Sequence, residues 1–264
     1  MFLVPTLLFL SFHKTPPVNA NASEPWAPNK TPKPRVFHGQ DVATHEYPYI
    51  AVIMRLKKSN RHIRTCTISI IMKNYGLTAA HCSRRQRYQH YVWYGNHTVS
   101  PLETGAYIAV SEYIVHPSFL VVGGKLTGND VALVRFSDII LPRYGRLSAV
   151  DHLTMMGLPV KYIGGGLTKK IGDDDTRQLQ VGEGAIVACP AIYKELANIL
   201  VCVGPKCSSR QDTGAKGDSG GPLFFDDRII GVMSFGDQNP FASIVAFAPV
   251  SPYLDWINNV LHST

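Results

Sequence analysis

Gly217-Asp218-Ser219-Gly220-Gly221-Pro222 sets one hydroxyl in a run of glycines. Two earlier segments give that hydroxyl meaning: Thr78-Ala79-Ala80-His81-Cys82 and Gly128-Asn129-Asp130-Val131-Ala132-Leu133-Val134. A serine hydroxyl is hardly ionised at neutral pH and becomes a nucleophile only beside a base. An imidazole, with an unperturbed pKa of about 6.5, can take that proton and hand it on. A carboxylate can hold the imidazole in one tautomer. Each segment alone is weak, because a lone histidine is usually structural and a lone aspartate before a strand usually closes a turn. Together they supply the three groups that acyl transfer needs.

Around these segments the chain reads as a folded, β-rich protein. Apolar residues make up 45% and charged residues 17%, a composition too apolar for a disordered chain. The 264 residues suit one large β-rich domain or two small ones. From Tyr49 on, β-rich runs alternate with turn clusters, at 49–56, 64–72, 107–115, 130–136, 158–163, 178–188, 198–203 and 228–235. Such short runs with Gly and Pro between them predict an all-β barrel or sandwich. One helix is predicted at the end, opened by Ser251-Pro252-Tyr253, with Leu254, Ile257, Val260 and Leu261 on one stripe. No apolar run reaches the roughly 20 residues of a spanning helix, which argues against an integral membrane protein. The net charge of +7 says little about partners by itself. The acidic stretch 172–176 and the arginines Arg84, Arg85 and Arg87 read as solvated surface. For the arginines, docking of an acidic partner such as a sulfated glycan is the alternative.

The first residues, MFLVPTLLFLSF, with Val18-Asn19-Ala20 after them, read as a secretory signal over residues 1–20, cleaved after Ala20 or, in another register, after Ala22; a buried N-terminal strand is the alternative. The n-region lacks Lys and Arg, and Pro5 interrupts the apolar run. Residues 21–35 hold Pro25, Pro28, Pro32 and Pro34, which forbid a helix and disfavour a central strand. That stretch is a linker or a pro-segment ending at Arg35. Loss of residues 1–35 would remove four bases and one acid and lower the net charge from +7 to +4. The sequons at Asn21, Asn29 and Asn96 support export, although each alone is a weak signal.

The order His81, Asp130, Ser219 is one of the known triad orders, whereas α/β-hydrolases place the serine first. With these motifs, separated by 49 and 89 residues, the chain resembles the chymotrypsin/trypsin-like serine endopeptidases from Val36 to its end. The resemblance implies two six-stranded antiparallel β-barrels with a C-terminal α-helix, and a protease domain over 36–264. It implies His81, Asp130 and Ser219 as the catalytic triad, and the backbone N–H groups of Gly217 and Ser219 as the oxyanion hole. Cleavage between Arg35 and Val36 would free an amine that pairs with Asp218 and orders that hole. Val36-Phe37-His38-Gly39 departs from the family's Ile-Val-Gly-Gly start at its second and third residues.

The resemblance also pairs Cys66 with Cys82 and Cys189 with Cys202. Cys207 is left over, and Ala215 stands where the family carries a cysteine before its catalytic loop. For the substrate site it implies Ser234-Phe235-Gly236, with Phe in place of the family's Trp, as the strand that pairs with substrate. An ungapped count back from Ser219 puts Thr213 at the pocket floor, and aligning Val250-Ser251-Pro252-Tyr253 with the family's C-terminal segment puts Val245 at its wall, where trypsin-like members have Gly. The two make a short uncharged pocket for small or medium apolar side chains. Moving the alignment by one residue makes Asp212 the floor and the preference Arg or Lys. Polypeptide substrates, protein protease inhibitors and a monomeric state follow from the resemblance; no nucleic-acid or membrane partner does. A protease-like binding protein that no longer cuts is the alternative from another class. No cofactor and no metal site are expected. The stretch Tyr94–Thr104 carries only Glu103 as an acid, too little for calcium, and no paired Cys/His spacing suggests zinc.

Overall fold

Runs rich in Ile, Val and aromatic residues become strands, as β-branched and aromatic side chains fill a pleated, half-buried surface well. The structure is a computed structural model. It describes residues 40–43, 45–57, 61–85, 88–122, 125–126, 128–166, 176–205, 217–236 and 244–263. The chain divides into units 1–31 and 32–264, and every described residue lies in the second. The expected signal, the pro-segment with Asn21, Asn29 and Arg35, the start at Val36, and also Arg87, Cys207, Asp212, Thr213 and Ala215 lie outside the described residues.

The strands in chain order begin with β1 (Gln40–Asp41), β2 (Ile50–Leu56), β3 (His62–Met72), β4 (Tyr75–Thr78) and β5 (His90–Trp93). A one-turn helix α1 (Pro101–Thr104) precedes β6 (Tyr107–Val115), β7 (Val121–Val122), β8 (Lys125–Leu126) and β9 (Ala132–Phe136). Then come β10 (Pro159–Gly164), β11 (Gln180–Val187), β12 (Val201–Gly204), β13 (Pro222–Phe225), β14 (Arg228–Gly236) and β15 (Val245–Pro249). Helix α2 (Leu254–His262) ends the chain after a 3-10 turn at Ser251–Tyr253.

The first barrel closes in the order β2-β3-β4-β9-β6-β5. A second sheet runs β1-β11-β10-β13-β14-β15-β12, and pairing of β11 with β12 closes its last six strands into a second barrel. Strand β1 pairs with the start of β11. All these pairings are antiparallel, as expected from the family resemblance. The hairpin β7–β8 stands apart from both.

The barrels share one apolar seam. Ile50, Ile53, Ile68 and Leu133 of the first barrel lie in the same buried cluster as Ile163, Ile229 and Val232 of the second. Full burial of each such side chain contributes about 1.5–3 kcal/mol. Helix α2 adds Ile257 to that cluster, with Leu254, Val260 and Leu261 packed against it, so the predicted stripe faces the core. A second cluster, around Tyr162, Met155 and Phe247, fills the other barrel. The disulfides Cys66–Cys82 and Cys189–Cys202 are both formed.

Next to the first barrel a basic pair is buried among aromatic rings. The Arg64 guanidinium lies 4.6 Å over the Trp93 ring and donates to the His97 carbonyl at 3.0 Å. The His97 Nε2–H donates to the Trp93 carbonyl at 3.0 Å. Burial first, and then the Arg64 charge, hold the His97 imidazole down to about 3. The unfolded chain takes up that proton near pH 6.5, so the stability from this neutral ring is complete above 6.5 and is lost as pH falls towards 3. Denaturant melts between pH 7 and pH 4 should show a steeper loss for the parent than for His97→Gln. Equal slopes would refute this assignment.

Candidate active site

His81 and Asp130 are brought together by strand register. Strand β4 pairs antiparallel with β9, with Thr78 opposite Ala132. The end of β4 and the start of β9 therefore share one rim of the first barrel. His81 follows Thr78 in a 3-10 turn, Ala80–Arg85, and Asp130 precedes Ala132 in a tight turn. Asp130 Oδ1 accepts the His81 backbone N–H at 2.8 Å, and Oδ2 lies 2.7 Å from His81 Nδ1. A carboxylate only accepts, so Nδ1 carries the hydrogen and Nε2 of the neutral ring is left as an acceptor. The Asp130 side chain is 2% exposed and that of His81 is 22% exposed, which leaves the ring reachable and the charge shielded. The Asp130 turn is braced at Asn129, in the left-handed region at φ +52. Asn129 accepts from the Tyr253 hydroxyl at 3.0 Å and donates to the Ser118 carbonyl at 3.0 Å. Burial, with the nearby Asp130 charge, pushes the Tyr253 phenol up to about 12, so it stays a donor.

Ser219 sits on the second barrel, in the turn leading into β13, and its backbone is tied to the first barrel. Thr67 N–H donates to the Ser219 carbonyl at 2.8 Å. Gly220 N–H donates to Met233 O at 2.7 Å, and Gly221 N–H to Asp218 O at 2.9 Å. Gly220 has φ +83, and a Cβ there would stand 2.0 Å from Thr78 Oγ1 and 2.3 Å from Thr67 O. Only glycine fits so close to the other barrel at that backbone angle. Gly217 has φ +98, and a Cβ on it would meet Gly166 Cα at 2.9 Å. The Asp218 side chain is buried, and its Oδ1 accepts the Gly166 N–H at 2.7 Å. No hydrogen bond joins Ser219 Oγ to His81 among the described residues; such contacts often tighten only with substrate bound.

The Cys66–Cys82 bridge lies at the junction of the two halves. Its sulfurs and a His81 ring nitrogen lie within 4.8 Å of one another. Cys82 Sγ is 3.9 Å from the Ser219 carbonyl oxygen. Both sulfurs are spent in the disulfide, so this cluster offers no thiolate to a metal.

Of the expected substrate residues, Ser234 is buried and donates to Asp130 Oδ2 at 2.5 Å. Its hydroxyl is thus a third donor on the carboxylate, a role that the sequence motif did not reveal. Phe235 packs against Tyr193 with ring centroids 5.1 Å apart. Gly236 pairs with Val245 across β14 and β15, and Val245 is buried in the core of the second barrel. Asn96 lies in a turn in which its Oδ1 accepts from the Thr98 N–H and hydroxyl. Sequence reasoning missed Thr67, Asn129 and Tyr253 as supports, since their only signal is contact across elements far apart in the chain.

A model of the trypsin family matches residues 36–257. Chymotrypsin of Phaedon cochleariae is 27% identical over 240 residues, which cover 87% of this chain and 83% of that protein. Human chymotrypsin-like elastase family member 1 is 28% identical over 246 residues, covering 87% of this chain and 93% of its own. The solved structure of HL collagenase aligns with a TM-score of 0.67 at 23% identity, over 86% of this chain and 99% of that one. That likeness speaks for the fold. The family match spans every strand of the two barrels, and the chain belongs to the trypsin family of chymotrypsin-like serine proteases.

Proposed function

We propose that this chain is a secreted serine endopeptidase, made as a zymogen and activated by cleavage after Arg35. The observation that carries the reading is the buried Asp130 carboxylate bonded to His81 Nδ1, beside the loop that bears Ser219. Ser219 Oγ attacks the scissile carbonyl as His81 Nε2 takes its proton. His81 then protonates the leaving amine, and water repeats the sequence on the acyl-enzyme. Asp130 keeps the ring in the tautomer that leaves Nε2 free and stabilises the imidazolium. The N–H groups of Gly217 and Ser219 receive the oxyanion; loss of one such donor costs about 2.7–4 kcal/mol in other enzymes.

The buried Asp218 carboxylate is the partner for the new amine at Val36. Pairing there draws the start of the cleaved chain inward and orders the Gly217 side of the loop. The two disulfides and the Asn96 sequon support export to an oxidising compartment, with Asn96 as well as Asn21 and Asn29 as glycan acceptors. Thr213 and Val245 favour small or medium apolar side chains at the cleavage position. Extended substrate pairs with Ser234-Phe235-Gly236 as an added strand.

A fluorophosphonate probe should label the activated parent at Ser219. Ser219→Ala should take no label and lose peptide hydrolysis by a factor on the order of 10⁶. An unlabelled parent would favour the protease-like binding protein instead. Among chromogenic peptides ending in Arg, Phe, Leu, Val or Ala, the apolar ones should be cut fastest; dominant Arg cleavage would shift the pocket floor to Asp212. Arg35→Gln should resist trypsin at that bond and remain nearly inactive. Full activity with Arg35 still joined to Val36, read by N-terminal sequencing, would overturn the zymogen reading.

A further inference from the structure

Thr67 has every polar atom engaged. It lies on β3 opposite Val52 and is 0% exposed. Its N–H donates to Ser219 O at 2.8 Å, and its carbonyl accepts the Thr78 hydroxyl at 2.8 Å. Its Oγ1 accepts the Gly165 N–H at 2.9 Å and donates to Gly217 O at 2.8 Å. With Gly165 supplying the hydrogen on one side, the hydroxyl's own hydrogen is directed to Gly217.

These bonds act on peptide planes. A trans peptide is planar, so a held carbonyl sends the next residue's N–H in the opposite direction. The Gly217 carbonyl is held by the Thr67 hydroxyl, and the Ser219 carbonyl by the Thr67 amide. Between those two planes lies the Asp218–Ser219 peptide. Its carbonyl is turned towards Gly221 N–H, which aims the Ser219 N–H the other way. Gly217 and Gly220, at φ +98 and +83, carry no side chain to stiffen the loop from within. Restraint has to come from outside, and Thr67 supplies it on both flanks. Its neighbour Cys66 bridges to Cys82, next to His81, so two consecutive residues of β3 anchor both halves of the site.

We propose that Thr67 is a positioning residue for the oxyanion loop, with its side-chain hydroxyl holding the Gly217–Asp218 peptide so that the neighbouring Ser219 N–H faces the developing oxyanion. The proposal rests on the peptidase reading above. Thr67→Val keeps the branched shape and the backbone amide but lacks the hydroxyl; Thr67→Ser keeps the hydroxyl.

The test uses the full chain activated at Arg35, with sites counted by fluorophosphonate titration so that misfolded protein does not enter the rates. On the fastest p-nitroanilide of the panel, Thr67→Val should lose about tenfold in kcat with KM within about twofold, and Thr67→Ser should stay near the parent. The Ki of a peptidyl trifluoromethyl ketone, which forms a tetrahedral oxyanion adduct, should rise in step with that loss. Hydrogen exchange of the unliganded protein should be about tenfold faster at the 217–221 amides in Thr67→Val, with β14 unchanged. Parent-like kcat and exchange in Thr67→Val, or equal losses in Thr67→Ser, would overturn the proposal. A lower melting temperature without the kcat and ketone effects would reduce Thr67 to a core residue and overturn it too. A parent that neither cuts nor labels sinks the peptidase reading, and the exchange comparison then decides by itself whether the Thr67 hydroxyl holds the loop.

Discussion

A carboxylate shut away from water, that of Asp130, is the constraint around which the two barrels are organised. Burying an unpaired carboxylate is strongly unfavourable, and hydrogen-bond donors are what make it tolerable. Three converge here: the His81 backbone and ring N–H groups from the first barrel, and the Ser234 hydroxyl from the second. Separation of the barrels would strip the carboxylate of one donor and open the others to water. The same contact that stabilises the charge also sets the tautomer of the histidine, so packing and chemistry share one interaction.

The serine side obeys a complementary rule. Its loop has glycine at three of five positions between 217 and 221, which lets it pass within touching distance of the first barrel but leaves it intrinsically soft. Stiffness is imported through hydrogen bonds from Thr67 and Met233 and through the Asp218 carboxylate on Gly166. The Gly165–Gly166 segment is held in turn by guanidinium donors. Arg64 reaches the Gly165 carbonyl at 3.3 Å and Arg177 the Gly166 carbonyl at 2.9 Å. The bracing therefore extends from the 217–221 loop to one buried cation, Arg64, and one half-buried cation, Arg177.

The long strands were legible because their apolar and β-branched runs outlast the turns on either side, as at 50–56, 107–115 and 228–236. Some short ones were as well, such as Val201–Gly204, which overlaps the run 198–203, but others were not. Tyr75–Thr78 is four residues long and contains Gly76, whose missing side chain makes room for Ile68. Pro222–Phe225 opens on proline, which reads as a breaker although the first position of a strand tolerates it. Val245–Pro249 is buried throughout and so lacks the alternation that marks a strand with one wet face. The run from 130 starts its ladder only at Ala132, since Asp130 and Val131 are held in the turn by the Val131 N–H bond to Asn129.

From residue types and their order alone came the chemical vocabulary of the site: an imidazole, a carboxylate and a hydroxyl in glycine; the pairing of the cysteines came from the family resemblance. The three groups are properties of single residues and of neighbours in the chain, and a sequence carries them directly. That Ser234 bonds to Asp130, and that Thr67 grips both Ser219 and Gly217, was decided by the folded barrels. Such contacts join residues more than a hundred positions apart, and antiparallel register and close packing between barrels, rather than any local pattern, bring them within bonding distance.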